Sequence, residues 1–266
     1  MKAAVLYDFQ TPLVIEEIEL DEPAHGEVLV ELKASGICHS DWHVIKGEWP
    51  HFDVPLVLGH EGAGVVKAVG PGVSQVEVGD HVVMSFKTPC GLCELCLQGR
   101  SNLCGNSPLE GNRMRLRESG RPVGQFVNVS TFSTHTVTHE IAAIPIDREI
   151  PFEQAALVGC GVTTGVGAVI NTARVAAGTS VAVFGCGGVG LNVIQGAQLA
   201  GAATIIAVDI NDFKLDLATK FGATHTINAS STDPVAAIQE LTGGGAHYAF
   251  EAIGLTAEPM VQAIHC

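Results

Sequence analysis

Positively charged residues are scarce in this sequence. Its 266 residues include 14 Lys and Arg against 28 Asp and Glu, which gives a formal net charge of −14. Nucleic acids and anionic membrane surfaces attract basic proteins, so neither is expected to be a main partner of this chain. The excess of acidic residues is instead expected to aid solubility.

Long apolar runs are also missing. No uninterrupted apolar stretch approaches the roughly 20 residues that cross a membrane, and residues 1–7 are too short and too soon interrupted to be a secretory signal. We therefore expect a cytoplasmic protein with no membrane partner. In that compartment the eight cysteines favour metal ligation or catalysis over disulfides.

Helical periodicity is scarce before residue 150, apart from a turn or two predicted near residues 41–46. Hydrophobic residues make up 47% of the chain and charged ones 16%, as in a packed globular protein of one large domain or two moderate ones. Segments rich in β-branched residues and bounded by Gly, Pro or Asp predict the short strands of a compact β-barrel-like domain. These segments are residues 13–20, 28–33, 64–69 and 80–86.

From residue 150 onward the pattern changes to alternating strands and helices. This alternation is typical of a doubly wound parallel sheet, so the expected fold class is α/β. Strands are predicted at residues 180–184, 204–208, 224–227 and 248–253, and helices at 191–200, 212–221 and 234–241. We divide the chain into domains 1–165 and 166–266.

A glycine-rich turn directly follows the first of these strands. Residues 185–190, Gly-Cys-Gly-Gly-Val-Gly, fit the pattern G-x-G-x-x-G, and Asp209 ends the next strand. The glycines permit a tight turn, a close approach of the backbone to a pyrophosphate and packing of the helix on the sheet. The residues expected to contact a dinucleotide are Gly185, Gly187, Gly188, Val189, Gly190 and Asp209. Because Asp209 would bind ribose hydroxyls and repel a 2′-phosphate, NAD is favoured over NADP. The alternative to a dinucleotide-binding site is a tight turn that binds no ligand.

Four cysteines, Cys90, Cys93, Cys96 and Cys104, are spaced so that their thiolates can surround one zinc ion. An iron–sulfur cluster is the alternative, although the ferredoxin pattern closes sooner and is followed by Pro. A closed zinc site of this kind stabilises a loop and implies no chemistry by itself.

The segment that follows, residues 105–125, is punctuated by Gly and Pro and carries four arginines at 113, 115, 117 and 121. We expect a solvated loop there. The alternative interpretation is a loop that borders a pocket for an acidic or thiol-bearing substrate.

A second concentration of metal-binding side chains lies at residues 36–43, Gly-Ile-Cys-His-Ser-Asp-Trp-His. Thiolate and imidazole are the ligands that zinc prefers, so a metal site is one interpretation. The other is a buried cysteine among ordinary histidines. The stretch alone does not decide between them.

Together these segments resemble the zinc-dependent medium-chain alcohol dehydrogenases, in the branch of the class III and aryl-alcohol enzymes. The matching segments occur in family order and spacing. They are residues 36–43, Gly-His-Glu at 59–61, the cysteines of 90–104, Ser-Thr-Phe-Ser at 130–133, Cys-Gly-Val-Thr-Thr-Gly at 160–165, residues 185–190 and Val-Asp-Ile-Asn-Asp-Phe-Lys at 208–214. The resemblance implies a GroES-like β-barrel catalytic domain followed by an incomplete Rossmann sheet. It also implies an enzyme that interconverts alcohols and aldehydes by hydride transfer with NAD.

Two zinc ions per chain are implied by the same resemblance. The four cysteines of residues 90–104 would bind a structural zinc. Cys38, His60 and Cys160 would bind a catalytic zinc and leave its fourth position open for water or substrate. Asp41 would orient His60, and Glu61 would lie behind the zinc as an outer or transient ligand.

The remaining implied roles concern proton transfer, coenzyme and substrate. Ser40 would hydrogen-bond the substrate hydroxyl, and His43 would pass the proton to solvent through the coenzyme ribose. His39 would face the pyrophosphate, and Thr164 would pack against the nicotinamide. Lys214 would assist Asp209 at the adenosine ribose. Phe86 and Phe132 would line the substrate pocket. Cys160, where polyol dehydrogenases tend to carry Glu, favours primary or aromatic alcohols and aldehydes, including thiol adducts of formaldehyde.

The sequence departs from the family at its C-terminal end. Family members continue beyond Cys266, and their sheet has six parallel strands where four are predicted here. We therefore expect strand 248–253 to form an exposed edge, the family homodimer interface to be missing and the nicotinamide to be held poorly. The alternative to a working enzyme is a non-catalytic zinc-binding remnant or a fragment of a longer alcohol dehydrogenase.

Overall fold

A computed structural model of the chain describes residues 1–106 and 113–266. Their contacts divide the chain into two compact units, Met1–Cys160 and Gly161–Cys266. The domain boundary predicted after residue 165 lies five residues beyond the boundary between these units, after Cys160. The division into domains 1–165 and 166–266 stays a prediction. Strands dominate the first unit, whereas strands and helices alternate in the second.

The first unit contains two sheets. Its strands are β1 Lys2–Leu6, β2 Val14–Leu20, β3 Glu27–Gly36, β4 Leu56–Val57, β5 Glu61–Val69, β6 His81–Met84, β7 Met114–Leu116, β8 Pro122–Gln125, β9 His135–His139 and β10 Ala143–Pro145. A closed barrel has the order β1-β2-β7-β8-β4, and a five-stranded sheet has the order β10-β6-β5-β3-β9. Separate apolar clusters fill them, around Val5 and Ile18 in the barrel and around Val30 and Met84 in the sheet.

The four segments predicted as strands in this unit are confirmed as β2, β3, β5 and β6. The other six strands have two to five residues each and were not predicted from the sequence. The helical turns predicted near residues 41–46 belong to helix α1, His39–Ile45. A further short helix, α2, spans Glu94–Leu97.

The interpretation of residues 105–125 as an irregular solvated loop is wrong for the part that the structure describes; residues 107–112 lie outside it. β7 and β8 pair as an antiparallel hairpin and close the barrel between β2 and β4. Three of the four arginines of this segment form ion pairs with acidic side chains: Arg113 with Glu27, Arg115 with Asp21, and Arg117 with Glu17 and Glu19. These pairs join the hairpin to the rest of its unit and give no support to a pocket for an acidic substrate.

The second unit is the predicted doubly wound parallel sheet. Its strands are β11 Ser180–Phe184, β12 Thr204–Asp209, β13 His225–Asn228 and β14 Tyr248–Glu251, in the order β13-β12-β11-β14. The helices that accompany the sheet are α5 Gly188–Leu199, α6 Asp212–Lys220, α7 Pro234–Thr242 and α8 Ala257–His265. Apolar clusters cover both faces of the sheet, and within the described chain β14 forms one edge, as expected.

Local sequence signals set the element boundaries of this unit. The side chain of Asn211 accepts a hydrogen bond from the N–H of Phe213 at the start of α6. Asp233 caps α7 ahead of Pro234, and that helix ends at Gly243, whose φ is +73°. All five residues of β11 are buried, as expected for a parallel strand covered on both faces. These signals explain why the predicted and observed boundaries differ by only a few residues.

A helical run of 22 residues, Phe152–Ala173, is long and apolar enough to cross a membrane by length and composition alone. It contains α3 Phe152–Leu157 and α4 Thr163–Gly167, which are followed by the π-helical stretches Val158–Val162 and Ala168–Ala173. The sequence predicts no such segment, because polar residues and glycines interrupt its apolar pattern. Core helices of soluble proteins pass the same test, so the absence of a membrane partner stays a prediction.

Candidate active site

Three side chains that are far apart in the sequence meet in the first unit. The sulfurs of Cys38 and Cys160 and a ring nitrogen of His60 all lie within 4.8 Å of one another. The ligand atoms of a tetrahedral zinc site are about 3.5–3.8 Å apart, given metal–ligand bonds of about 2.0–2.3 Å. The three groups therefore fit three corners of such a site and leave the fourth for a small ligand.

Each of these three residues is placed by a local feature of the chain. Cys38 is the N-cap of α1 and forms a capping box with Asp41. His60 follows Gly59, which has a φ of +87° and no room for a side chain. Cys160 lies in the π-helical stretch that follows α3. Irregular turns such as these often occur at functional sites.

The carboxylate of Asp41 connects two of the three residues. Asp41 is 1% exposed, and its Oδ2 accepts a hydrogen bond from the N–H of Cys38 at 3.0 Å. Its Oδ1 accepts from the N–H of Gly59 at 3.0 Å and lies 3.2 Å from Nδ1 of His60. With Nδ1 as the donor, Nε2 of His60 keeps its lone pair for a metal. Asp41 thus orients His60 and fixes the backbone of Cys38 relative to it.

Aromatic rings and hydrogen-bonding partners surround His60. The rings of Phe86 and Phe126 pack edge-on against it, with centroid distances of 5.8 and 5.6 Å. Burial acts to lower the pKa of His60, but its hydrogen bonds to Asp41 and Cys38 outweigh burial and raise that pKa. A hydrogen bond from Cys160 is the largest cause that holds the pKa of the Cys38 thiol well below its usual range. Cys38 is therefore disposed to be a thiolate, the form that binds metals.

Glu61 is buried beside the strand that leads to Cys38. It is 4% exposed and pairs with Gly36 in the register of β3 and β5. A Cβ at Gly36 would overlap Oε2 of Glu61. Glycine at position 36 therefore gives this buried carboxylate its space.

Helix α1 carries three more of the predicted site residues. The backbone and side chain of Ser40 both hydrogen-bond to Cys38. The rings of His39 and His43 stack with their centroids 4.7 Å apart, and Nδ1 of His43 pairs with a carboxylate oxygen of Glu48. A single helix thus starts at one metal ligand and presents a hydroxyl and two imidazoles.

The four cysteines of residues 90–104 also come together in the first unit. Their sulfurs lie 3.4 Å apart for Cys93 and Cys96, 3.7 Å for Cys93 and Cys104, and 3.6 Å for Cys90 and Cys104. These values match the edges of a zinc tetrathiolate, about 3.8 Å, and exceed the disulfide length of about 2.05 Å. Backbone N–H groups, that of Leu92 first, lower the pKa of Cys90 to about 6. The donor set therefore fits a closed structural zinc site.

The glycine-rich turn of the second unit is closely packed at Gly185 and Gly190 and accessible at Gly187 and Gly188. Gly185 has a φ of +90°, and a Cβ at Gly190 would overlap the carbonyl oxygen of Gly185. At Gly187 and Gly188, by contrast, no described atom lies within 4 Å of the Cβ position. Among the described residues no side chain caps α5, which begins with Gly188 and Val189. The open approach and the uncapped helix N-terminus fit a pyrophosphate group.

Asp209 ends β12 next to this turn. Its Oδ2 accepts a hydrogen bond from the N–H of Cys186 at 2.8 Å, and its Oδ1 accepts one from the N–H of Asn211 at 3.1 Å. Nζ of Lys214 lies 3.8 Å from Oδ2. Thr164, the remaining predicted coenzyme contact, is an exposed residue of α4. The carboxylate of Asp209 is thus held in place where the ribose of a bound dinucleotide lies in this fold.

Known proteins match both units. Residues 24–148 match the alcohol dehydrogenase GroES-like domain, and residues 188–266 match the zinc-binding dehydrogenase family. The chain is 43% identical to S-(hydroxymethyl)glutathione dehydrogenase of Paracoccus denitrificans, in a match that covers 100% of this chain and 74% of the relative. This chain belongs to the zinc-dependent medium-chain alcohol dehydrogenases.

Solved structures of other alcohol dehydrogenases share its fold. An alcohol dehydrogenase zinc-binding domain protein from Burkholderia ambifaria superimposes with a TM-score of 0.93 at 42% identity, over 99% of this chain and 73% of that one. Benzyl alcohol dehydrogenase from Acinetobacter calcoaceticus gives a TM-score of 0.90 at 37% identity, with the same two shares. The predicted GroES-like barrel domain followed by a Rossmann-type parallel sheet is confirmed.

Family membership also confirms the predicted enzyme class and cofactors. The chain is an oxidoreductase, an alcohol dehydrogenase that uses zinc and NAD. The donor sets of both metal sites fit zinc. For the four cysteines, zinc is therefore assigned instead of an iron–sulfur cluster. The glycine turn with Asp209 fits NAD.

Several side chains around the zinc site of this alcohol dehydrogenase were not predicted from the sequence. The ring of Trp49 stacks on that of His43 with a centroid distance of 5.4 Å. Phe52 packs edge-on against Phe126 at 5.0 Å, and Phe126 in turn packs against His60. Trp49 and Phe52 lie in a turn segment and Phe126 in a 3-10 stretch, where no periodic pattern marks a buried position.

Replacing Asp41 with asparagine is expected to weaken zinc binding at the Cys38 site about 10–100-fold. The amide keeps one acceptor oxygen, and its NH₂ group would face donors that now converge on the carboxylate. Competition with a chelator, followed by elemental analysis, measures the change. Asp53→Asn removes an exposed carboxylate and serves as the control. Equal zinc retention in both variants would show that Asp41 does not support the site.

Proposed function

We propose that this alcohol dehydrogenase interconverts primary alcohols that bear an aromatic or other apolar group with their aldehydes. The observation that carries the proposal is the meeting of Cys38, His60 and Cys160, the donor set of a catalytic zinc with an open position. The rings of Phe86 and Phe126 pack beside His60 and make this end of the unit apolar. The likeness to a benzyl alcohol dehydrogenase supports the same substrate class.

When bound, zinc supplies Lewis acidity that makes the alcohol more acidic, and NAD supplies the hydride acceptor. In our proposal, the hydroxyl of Ser40 takes the proton of the substrate and His43 conveys it towards solvent. Asp41 keeps His60 in its metal-binding tautomer, and the buried carboxyl group of Glu61 serves as an outer or transient ligand.

The coenzyme contacts follow from the same assignment. The backbone of the turn at residues 185–190 binds the pyrophosphate. Asp209 and Lys214 bind the hydroxyls of the adenosine ribose, and Thr164 packs against the nicotinamide. The hydrogen bonds that Asp209 accepts from the N–H groups of Cys186 and Asn211 support this proposal, because they fix its carboxylate and reduce the ordering needed on binding.

A thiol adduct of formaldehyde is a second candidate substrate, because the Paracoccus relative is named for S-(hydroxymethyl)glutathione. That adduct carries carboxylates, which need cationic partners. Of the four arginines that the sequence offers for this purpose, Arg113, Arg115 and Arg117 pair with acidic side chains of the first unit, and Arg121 is exposed. An apolar alcohol is therefore the better fit.

A comparison of kcat/KM among three substrates tests the proposal. Zinc-loaded protein is supplied with NAD and benzyl alcohol, ethanol, or formaldehyde with glutathione, and NADH absorbance is followed. Burial of an aromatic ring contributes about 1.5–3 kcal/mol, so benzyl alcohol should exceed ethanol about tenfold or more. A preference for formaldehyde with glutathione would overturn the substrate proposal and leave the enzyme class unchanged.

Asp209→Asn is expected to raise the Kd for NADH about tenfold and to reduce the preference for NADH over NADPH. A hydrogen bond to a charged group contributes about 1.5–3 kcal/mol, and the carboxylate no longer repels a 2′-phosphate. Equilibrium titration by coenzyme fluorescence measures both constants. Asp216→Asn, a change of the same type at an exposed position of α6, is the control. An unchanged ratio of the two constants would contradict the role of Asp209.

A further inference from the structure

The end of helix α1 folds a carboxylate back onto His43. The N–H of Gly47 donates to the carbonyl of Val44, and the N–H of Glu48 donates to the carbonyl of His43, both at 2.9 Å. These two bonds form a Schellman motif, for which Gly47 supplies the left-handed residue with a φ of +73°. The side-chain contact that accompanies such a motif is usually hydrophobic. Here it joins Oε2 of Glu48 to Nδ1 of His43.

His43 is held in a defined orientation by this contact and by its neighbours. Its ring stacks on His39 at 4.7 Å and on Trp49 at 5.4 Å. With Nδ1 engaged by Glu48, Nε2 is the ring atom left to accept a proton. The side chain of His43 is 15% exposed and that of Glu48 is 35% exposed. The pair therefore leads from a mostly buried imidazole to a carboxylate that water reaches.

We propose that Glu48 is a positioning residue for proton transfer by His43: it selects the tautomer protonated at Nδ1 and stabilises the imidazolium formed when Nε2 takes the proton of the alcohol. The inference rests on the proposed function, which assigns that proton to His43. The imidazolium then gives its Nδ1 proton to water beside Glu48, and exchange of the remaining ring proton from Nε2 to Nδ1 through water restores the starting tautomer, so one proton reaches solvent for each alcohol oxidised.

Among the described residues, Lys46 and His39 are the other charged or titratable groups that act on this pair. Nζ of Lys46 lies 3.7 Å from Oε1 of Glu48. The hydrogen bond with His43, followed by the charges of Lys46 and His39, lowers the pKa of the Glu48 carboxyl. Glu48 is therefore ionised at neutral pH, and Lys46 neutralises part of its charge on the side away from His43.

The tautomer of His43 tests the inference without any turnover. In zinc-loaded protein without coenzyme, the ring nitrogen chemical shifts of His43 are expected to report a proton on Nδ1. Glu48→Ala should increase the share of the tautomer protonated at Nε2. Glu118→Gln removes an exposed glutamate of the β7–β8 turn and should leave the shifts unchanged. A wild-type tautomer ratio in Glu48→Ala would overturn the inference.

Kinetics supply a second readout that a purely structural role would not change. Glu48→Gln is expected to lower kcat on the order of tenfold with little change in KM. Added proton-accepting buffer at constant pH and ionic strength should restore part of that loss. A loss of kcat that buffer does not restore, with an unchanged tautomer, would overturn the role of Glu48 in proton transfer.

His43→Gln separates this inference from the proposed function. If His43→Gln keeps the wild-type kcat, the proposed proton transfer by His43 is wrong, whatever Glu48 does. If His43→Gln is slow while Glu48→Gln turns over at the wild-type rate and does not respond to buffer, only the role of Glu48 is contradicted.

Discussion

Replacing Cys38 with alanine is expected to abolish measurable NADH formation by this alcohol dehydrogenase. The variant loses one of three ligand atoms that lie within 4.8 Å of one another. His60 and Cys160 alone do not make the three-ligand site that holds a catalytic zinc. Lewis-acid catalysis contributes several kcal/mol to transition-state stabilisation, so the rate should fall on the order of 10³-fold or more.

Zinc content and turnover measured on the same preparation check this result. Cys38→Ala should carry one zinc ion per chain instead of two. The fold should survive, because Asp41 accepts its hydrogen bond from the backbone N–H of residue 38 and not from the thiol. Cys266→Ala removes a thiol outside both cysteine sites and should behave as the wild type. Wild-type turnover by Cys38→Ala would rule out the assigned zinc site.

Cys104→Ser is expected to remove the structural zinc and to lower the thermal stability strongly. The sulfur of Cys104 lies close to those of Cys90 and Cys93, and it accepts hydrogen bonds from the N–H groups of Cys90 and Asn106. Without it, the first three cysteines lose the ligand that closes the site. Structural zinc contributes folding free energy directly, so we expect Tm to fall on the order of 10 °C.

Calorimetry with elemental analysis of the same samples measures this second effect. A matched control is Ser101→Ala, an exposed position in the same segment that supplies no metal ligand. Chelation of zinc from the wild type should reproduce the Tm of Cys104→Ser. The structural role would be contradicted if Cys104→Ser retained two zinc ions per chain, or if it lost one zinc ion and kept the Tm of the wild type.

The two zinc sites differ in how far the sequence predicts them. The four cysteines of residues 90–104 are local, so their spacing alone indicates one metal. Cys38, His60 and Cys160 come from a helix N-terminus, a strand start and a π-helical stretch, and no spacing rule connects them. Their grouping came from resemblance to a family. The structure adds the physical basis, in which Asp41 joins the first two.

The parallel sheet was predicted closely, whereas much of the first unit was not. Helices α6 and α7 have caps at Asn211 and Asp233 that are visible in the sequence. The β7–β8 hairpin has no such signal, because its glycines and arginines are also typical of loops. Its arginines are explained by partners such as Glu27, 86 residues from Arg113. Partners this distant cannot be predicted from local sequence.

Formation of NADH by protein that carries two zinc ions per chain is the most direct test of the central claim, that this chain is a zinc-dependent alcohol dehydrogenase. With benzyl alcohol and NAD we predict NADH formation, which stops when the catalytic zinc is removed by a chelator. Bound zinc at both sites and bound NAD without NADH formation from any primary alcohol would contradict the claim. That result would identify a zinc-binding protein that does not catalyse the reaction.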